Sequence, residues 1–408
     1  MRIVYFVSDG IFSGVLDSQV LTPLRLLGEK EPTTQRAAVF LTSVRHLGRE
    51  AIFLREEEIR KAVPGIILHF KYRLMNGFPG EHRLWALQLE RSLRMMNFTG
   101  NKPIIIHCRG DATASATAIL KRRDSRLRIL LDIRGAQSDE IVVKGLLGRY
   151  LRCWAEHSHR LAMKSADGVN TVSHKMADHF INIGEFPGGL PRSVVGCCVD
   201  THQFYFDPTQ RAARREELGL QDKFVICYCG AMSHWQRPDA LVEAFAAIRA
   251  AMPDAHLLAV TKEAQPLREQ LARVGVAAED VTIRSAPHDQ VASYLMAADV
   301  GILLRENTLT NRVASPVKFA EYLRCGLPVI LTPYVGDYGE FAQKYDVGRM
   351  IEFPIHPAQV AEVAQLLRGR LLKEGLDYRN YCSGMAGEKL SWSSSIACLL
   401  DTYRKLNQ

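Results

Sequence analysis

Ala314-Ser315-Pro316-Val317-Lys318-Phe319-Ala320-Glu321-Tyr322-Leu323-Arg324-Cys325-Gly326-Leu327-Pro328-Val329-Ile330 is the stretch on which the fold and its use both turn. Ser315 is a good N-cap and Pro316 a good first helical residue, so a helix is predicted over 316–324 with its first backbone N–H groups free. Gly326 ends it, and the apolar run that follows opens a strand. Lys318 falls in the first helical turn, where a cation opposes the helix dipole. That mild cost is explained if an anion such as a diphosphate sits between Lys318 and the free N–H groups. Glu321 lies one turn further, where a carboxylate can accept both hydroxyls of a ribose. A capped surface helix with a solvated Lys and Glu explains the same pattern equally well.

Outward from this segment, short apolar runs alternate with longer helical patterns. Strands are predicted at 3–7, 38–41, 66–70, 104–107, 129–133, 169–172 and 194–198, then at 224–229, 256–261, 281–285, 300–304, 328–331 and 349–352. Helices are predicted at 239–252, 290–298 and 357–372, with a last one near 394–406. Such alternation implies parallel sheets with helices on both faces. It restarts near Phe224, and the polar helical segment 200–221 reads as a linker. The predicted fold class is therefore α/β, with two Rossmann-like doubly wound domains facing a central cleft. The expected division is 1–203, 204–380 and a C-terminal helical segment 381–408 that crosses back to the first domain.

In open parallel sheets ligands bind at the carboxyl ends of the strands. In the first half, Asp9-Gly10-Ile11-Phe12-Ser13-Gly14 follows the first strand, and Ser18 and Gln19 open the next helix. Gly14 and Gly10 let backbone approach a ligand, although a tight turn explains them as well. His107-Cys108-Arg109-Gly110 and Asp132-Ile133-Arg134-Gly135 end two later strands, with Asp139-Glu140 close behind. Arg109 and Arg134 suit a developing negative charge, and His107 or Asp132 a hydrogen bond to substrate. The alternative is that His107 and Asp132 only hold loop backbone.

Several of these pieces together resemble the family 4 glycosyltransferases of the GT-B fold. The run 315–330 is similar to their donor-binding segment. Tyr228-Cys229-Gly230-Ala231-Met232 leading to Leu241-Val242-Glu243-Ala244-Phe245 resembles the first strand and helix of their donor domain. Tyr294-Leu295-Met296-Ala297-Ala298-Asp299-Val300-Gly301 resembles the step before the donor loop, Cys198-Val199-Asp200-Thr201-His202-Gln203-Phe204 the interdomain connection, and Ala166-Asp167-Gly168-Val169 the end of the first domain. The resemblance implies a UDP- or GDP-linked sugar held by the C-terminal domain, a glycan or lipid-linked acceptor met by the N-terminal one, and transfer of a hexose with retention. It implies no cofactor and no metal, and no Asp-x-Asp pair is found. The donor-binding residues it points to are Gly14, Gly230, Arg237, Arg312, Ser315, Pro316, Lys318 and Glu321; the catalytic candidates are His107, Arg109, Arg134 and Lys318. Two departures stand out. The first of the two glutamates often seen in the family is replaced by Val313, and its basic pair by Ala231 and Gln236, so Lys318, helped by Arg237 or Arg312, is expected to supply the charge. Two further readings stay open: an epimerase of the same fold acting on a sugar nucleotide, and a non-catalytic sugar-nucleotide-binding subunit.

Composition sets the outer limits. The 408 residues, 47% hydrophobic and 24% charged, suffice for two cores. The run Ile3-Val4-Tyr5-Phe6-Val7 is too short for a leader, and no apolar run approaches the roughly 18 residues of a membrane span. A cytoplasmic protein, peripheral at the inner membrane face, is expected. The nine cysteines include no Cys-x-x-Cys pair and read as reduced thiols. Residues 1–200 carry 29 Lys+Arg against 20 Asp+Glu, or +9, and the remainder 23 against 24, or −1. Within the first half, Lys121-Arg122-Arg123 with Arg126 and Arg128, and the amphipathic stretch 83–98, would suit an anionic membrane. Nucleic acid is not expected, because the cations lack interleaved aromatics.

Overall fold

Apolar runs flanked on both sides by helices leave a strand no polar face, and such strands pair in parallel. A computed structural model of the chain describes residues 1–12, 14–43, 49–73, 80–136, 141, 143–186 and 189–408, and it contains two all-parallel sheets. The first belongs to a unit made of residues 1–196 and 395–408. Its strands are β1 (Arg2–Val7), β2 (Gln35–Ser43), β3 (Ile67–Arg73), β4 (Ile104–Arg109), β5 (Leu127–Ile133), β6 (Gly168–Thr171) and β7 (Arg192–Val194), in the order β3-β2-β1-β4-β5-β6-β7. The second unit, 197–394, holds β8 (Phe224–Cys229), β9 (Ala255–Val260), β10 (Val281–Arg284), β11 (Val300–Leu303), β12 (Val329–Leu331) and β13 (Gly348–Met350), in the order β10-β9-β8-β11-β12-β13. Strand order reverses between β1 and β4, and again between β8 and β11. Each unit is thus a doubly wound, Rossmann-like domain with its own switch point.

One predicted strand is displaced. The run 194–198 does not continue the ladder, which stops at Val194 after the N–H of Val195 bonds the Thr171 carbonyl at 2.9 Å. Beyond it the backbone has other partners. The Cys197 N–H donates to Ser315 Oγ at 2.9 Å, and the Val199 N–H to the Leu390 carbonyl at 2.9 Å.

The linker segment forms the helix Pro208–Leu218. Asp207 caps its start, accepting from Thr209 and Gln210 N–H at 2.8 and 3.0 Å, and Gly219 at φ 65° ends it. Its Arg211 and Arg215 reach Asp299 at 2.6 and 3.2 Å, where Arg379 also binds at 2.6 Å. Burial would raise the Asp299 carboxyl, but these three guanidinium groups hold it below the ordinary range. The Asp299 Oδ2 that Arg215 reaches also accepts the Val225 N–H at 2.8 Å, which anchors the amino end of β8. The second sheet packs Ile226, Phe245, Leu257 and Ile302 on one face and Cys227, Leu258, Tyr322 and Leu331 on the other.

The last helix, Trp392–Leu406, sends its end into the first unit's core. Tyr403 is fully buried, its hydroxyl 3.0 Å from that of Tyr5 and 2.6 Å from His107 Nδ1. All nine cysteines are unpaired, with Cys153 and Cys398 exposed. Among the described residues no helix is long and apolar enough to cross a membrane.

Candidate functional site

In the second domain the helix of the diagnostic segment spans Val317–Arg324 and packs against the carboxyl end of β8 through Tyr322. Ser315 does not cap it, contrary to expectation, and Pro316 stands at the cap position with ψ 113° rather than inside the helix. The reason is competition. The buried Ser315 hydroxyl accepts the Cys197 N–H and lies 2.8 Å from the Tyr338 hydroxyl, and these partners hold it away from the helix N–H groups. Gly336, at φ 62°, makes this packing possible. A Cβ there would lie 1.8 Å from the Ala314 carbonyl oxygen, and its N–H donates to Asn311 at 3.2 Å.

Lys318 and Glu321 form a pair, Nζ to Oε2 at 3.0 Å, with Glu321 only 1% exposed. Desolvation works against the Lys318 charge, but the Cys229 thiol and Glu321 beside it hold the ammonium above the ordinary lysine value. Lys318 therefore reaches the last residue of β8, next to Gly230. The same strand end is fixed by Tyr322, whose hydroxyl accepts the Cys229 N–H at 2.7 Å. Tyr322 lies flat against Gly301, where a Cβ would approach its ring within 2.6 Å.

The other predicted cations are differently placed. Arg237 is tied by Nε to Asp239 at 2.9 Å and by Nη1 to Glu306 at 2.8 Å, and stacks over Phe353 at 4.5 Å. Arg312 is exposed at the end of a short helix capped by Thr308. Val313 is buried, which suits an apolar residue where a glutamate was looked for. Arg305, not among the residues expected at the site, lies two positions past the end of β11 and is only 8% exposed. The signal that marks it is a basic residue just after a buried strand at the switch point.

In the first domain the predicted residues do converge. Asp132 accepts from Asn170 at 2.7 Å and lies 3.2 Å from His107 Nε2, 3.4 Å from Arg134 and 3.7 Å from Arg109. Burial would raise its carboxyl, but Arg134, His107 and Arg109 hold it well below the usual range. Arg109 also pairs with Asp9, and Arg134 reaches Gln19 at 3.3 Å. His107 is 3% exposed and stacks on Tyr5, with one ring nitrogen at Tyr403 and the other at Asp132. Both ring nitrogens thus have protein partners, the arrangement that the alternative reading of His107 as a structural hydrogen-bonding group expects. Gly14 opens a helix without positive φ, and a Cβ there meets nothing within 4 Å; the strained turn belongs to Gly10 at φ 87°. Ser13, Asp139 and Glu140 lie outside the described residues.

The basic stretches are partly spent inside the fold. Lys121 pairs with Asp167 at 2.6 Å and Arg126 with Asp124 at 2.8 Å, leaving Arg122 and Arg123 exposed. In the helix Glu81–Met95, Trp85 and Leu89 are core residues, not a lipid face. A different surface has the expected character: Leu146 (83% exposed) and Leu147 (61%) stand beside exposed Lys144 and Arg149 at the start of the helix Gly145–Ser165.

Residues 210–383 match the family model of glycosyl transferases group 1. Among characterised proteins, a GDP-mannose-dependent alpha-(1-6)-phosphatidylinositol monomannoside mannosyltransferase of Mycolicibacterium smegmatis is 27% identical over 169 residues, 40% of this chain and 44% of that protein. The match thus spans less than half of the relative's length. Among solved structures, Anabaena Alr3699/HepE in complex with UDP and glucose superposes with a TM-score of 0.71 at 15% identity, over 99% of this chain and all of the other. A protein of Listeria monocytogenes named as a UDP-N-acetylglucosamine 2-epimerase gives 0.61 at 14% identity over 99% and 96% of the two chains.

Proposed function

We propose that the chain, whose residues 210–383 match the glycosyl transferases group 1 model and whose two domains have the GT-B fold, is a glycosyltransferase moving a hexose-type sugar from a UDP- or GDP-linked donor. The observation that carries the reading is the family match over residues 210–383, which contains the Lys318–Glu321 pair at the end of β8. In such a transfer negative charge gathers on the leaving diphosphate and positive charge on the sugar ring. Lys318 and the head of the helix Val317–Arg324 meet the first need, and Glu321 holds the ribose. Transfer proceeds with retention and without a metal. The first domain takes a glycan or lipid-linked acceptor, using its excess of +9, and Arg109 and Arg134 supply cations on that side. The apolar and basic surface at Lys144, Leu146, Leu147 and Arg149 supports peripheral contact with an anionic membrane.

The test is incubation with UDP- and GDP-linked hexoses, with and without lipid-linked acceptors, reading released nucleotide and labelled product. The expected result is acceptor-dependent release of a nucleoside diphosphate. Conversion of the sugar nucleotide without release would identify an epimerase instead, and binding with neither reaction a non-catalytic subunit.

A further inference from the structure

Of the cations described above with the candidate site of the second domain, three have evident uses of their charge. Lys318 shares its charge with Glu321, Arg237 lies between Asp239 and Glu306, and Arg312 is in solvent. Arg305 differs. It is buried, follows β11 at the strand pair where the sheet reverses order, and has no carboxylate partner among the described residues. Its one side-chain hydrogen bond runs from Nη1 to the Leu304 carbonyl at 3.2 Å. Nε and Nη2, which form one edge of the guanidinium, have no partner among the described residues and are not sealed from solvent.

The position is fixed from behind. The Arg305 N–H donates to Thr332 Oγ1 at 2.8 Å, and that hydroxyl donates back to the Arg305 carbonyl at 2.7 Å, which ties the end of β11 to the end of β12. A guanidinium does not shed its charge near neutral pH, and burying one without a counter-charge is strongly unfavourable. Burial accordingly pulls Arg305 below its ordinary pKa. The Nε–Nη2 edge is the fork that grips two oxygens of a phosphate or carboxylate. Lys318 reaches Cys229 at the end of β8, and Arg305 and Lys318 both oppose the rise that burial gives the pKa of Tyr228 beside it.

We propose that Arg305 is the centre of a preformed anion site for the donor's diphosphate, one that takes a pyrophosphate group on its own charge, without the nucleoside. This rests on the reading of the second domain as a sugar-nucleotide donor domain. It assigns to a residue after β11 the charge that the positions of Ala231 and Gln236, after β8, do not supply.

The experiment measures binding of inorganic pyrophosphate, UDP, GDP and the corresponding monophosphates to wild type, R305Q and R305K by calorimetry, with melting of each unliganded protein. Wild type should bind pyrophosphate. R305Q should lose at least about tenfold in pyrophosphate and nucleoside diphosphate affinity, the scale of a charge-assisted hydrogen bond, with a smaller loss for monophosphates and a partial recovery in R305K. Unliganded R305Q should melt at or above the wild-type temperature, because an uncompensated buried charge is gone. Undiminished pyrophosphate binding by R305Q overturns the proposal, as does no pyrophosphate binding by wild type. A lower melting temperature with equal losses for mono- and diphosphates would make Arg305 structural and also overturn it. If pyrophosphate binds through Arg305 but neither UDP nor GDP binds more tightly than pyrophosphate, the donor-domain reading fails and the anion site stands.

Discussion

Lys318 is the residue whose chemistry was most legible in advance and whose surroundings were least so. The order Ser-Pro-x-Lys announces a helix start, and a helix does start there. Nothing local reveals that the Ser315 hydroxyl goes to Cys197 and Tyr338, 118 and 23 positions away, and so leaves the helix uncapped. Arg305 was overlooked for a related reason. Next to Glu306 it resembles the solvated end of a strand, but Glu306 pairs with Arg237 and leaves Arg305 without a carboxylate. Removing the Lys318 ammonium should weaken nucleoside diphosphate binding by about 1–3 kcal/mol, measured by calorimetry on K318A. Because Glu321 would then be a buried carboxylate without its cation, K318A should also melt below wild type, whereas the double variant K318A/E321Q should recover part of that loss. Equal nucleotide affinity in K318A and wild type would remove Lys318 from the site.

Among elements, strands were easier to locate than their ends. Buried parallel strands are apolar throughout, so twelve of the predicted runs overlap observed strands closely, while 194–198 was drawn by its apolar residues past the last ladder bond at Val194. Contacts between helices were not legible at all. His159, on the helix Gly145–Ser165, bridges Asp111 at 3.0 Å at the head of the helix Asp111–Lys121 and Glu185 at 2.7 Å just beyond the helix His174–Asn182. Burial opposes its charge, but the two carboxylates raise its pKa from 6.5 to about 9. A histidine pKa raised by folding contributes stability that is full below 6.5 and is lost as pH climbs through 9. The clamp is expected to contribute up to about 3 kcal/mol at pH 6, vanishing by pH 10. Urea unfolding of wild type and H159Q across this range should show two curves that converge at high pH; parallel curves would dismiss the clamp.

For the whole molecule, the charge split was visible in composition, but its surface expression was not. Ion pairs such as Lys121–Asp167 consume part of it, and the exposed Leu146 and Leu147 attracted no notice because a leucine pair inside a long amphipathic helix reads as core. Vesicles containing anionic lipid should retain the protein at low salt and release it at high salt. The variant K144E/L146S/L147S/R149E should bind more weakly, at roughly 1 kcal/mol per cation lost plus the apolar contribution. Binding equal to wild type would move the membrane face elsewhere. The return of residues 395–408 to the first unit has a consequence for biosynthesis. Tyr403, lodged between Tyr5 and His107, is delivered by the ribosome only after the whole second unit, whereas β1 is made before it. The second unit is one continuous stretch and can close while synthesis continues. The first must wait with part of its core open until residues 395–408 have followed the second unit, and it is the half expected to be exposed in the meantime. A nascent chain stalled before residue 395 should therefore show protease resistance in 197–394 and cleavage within 1–196.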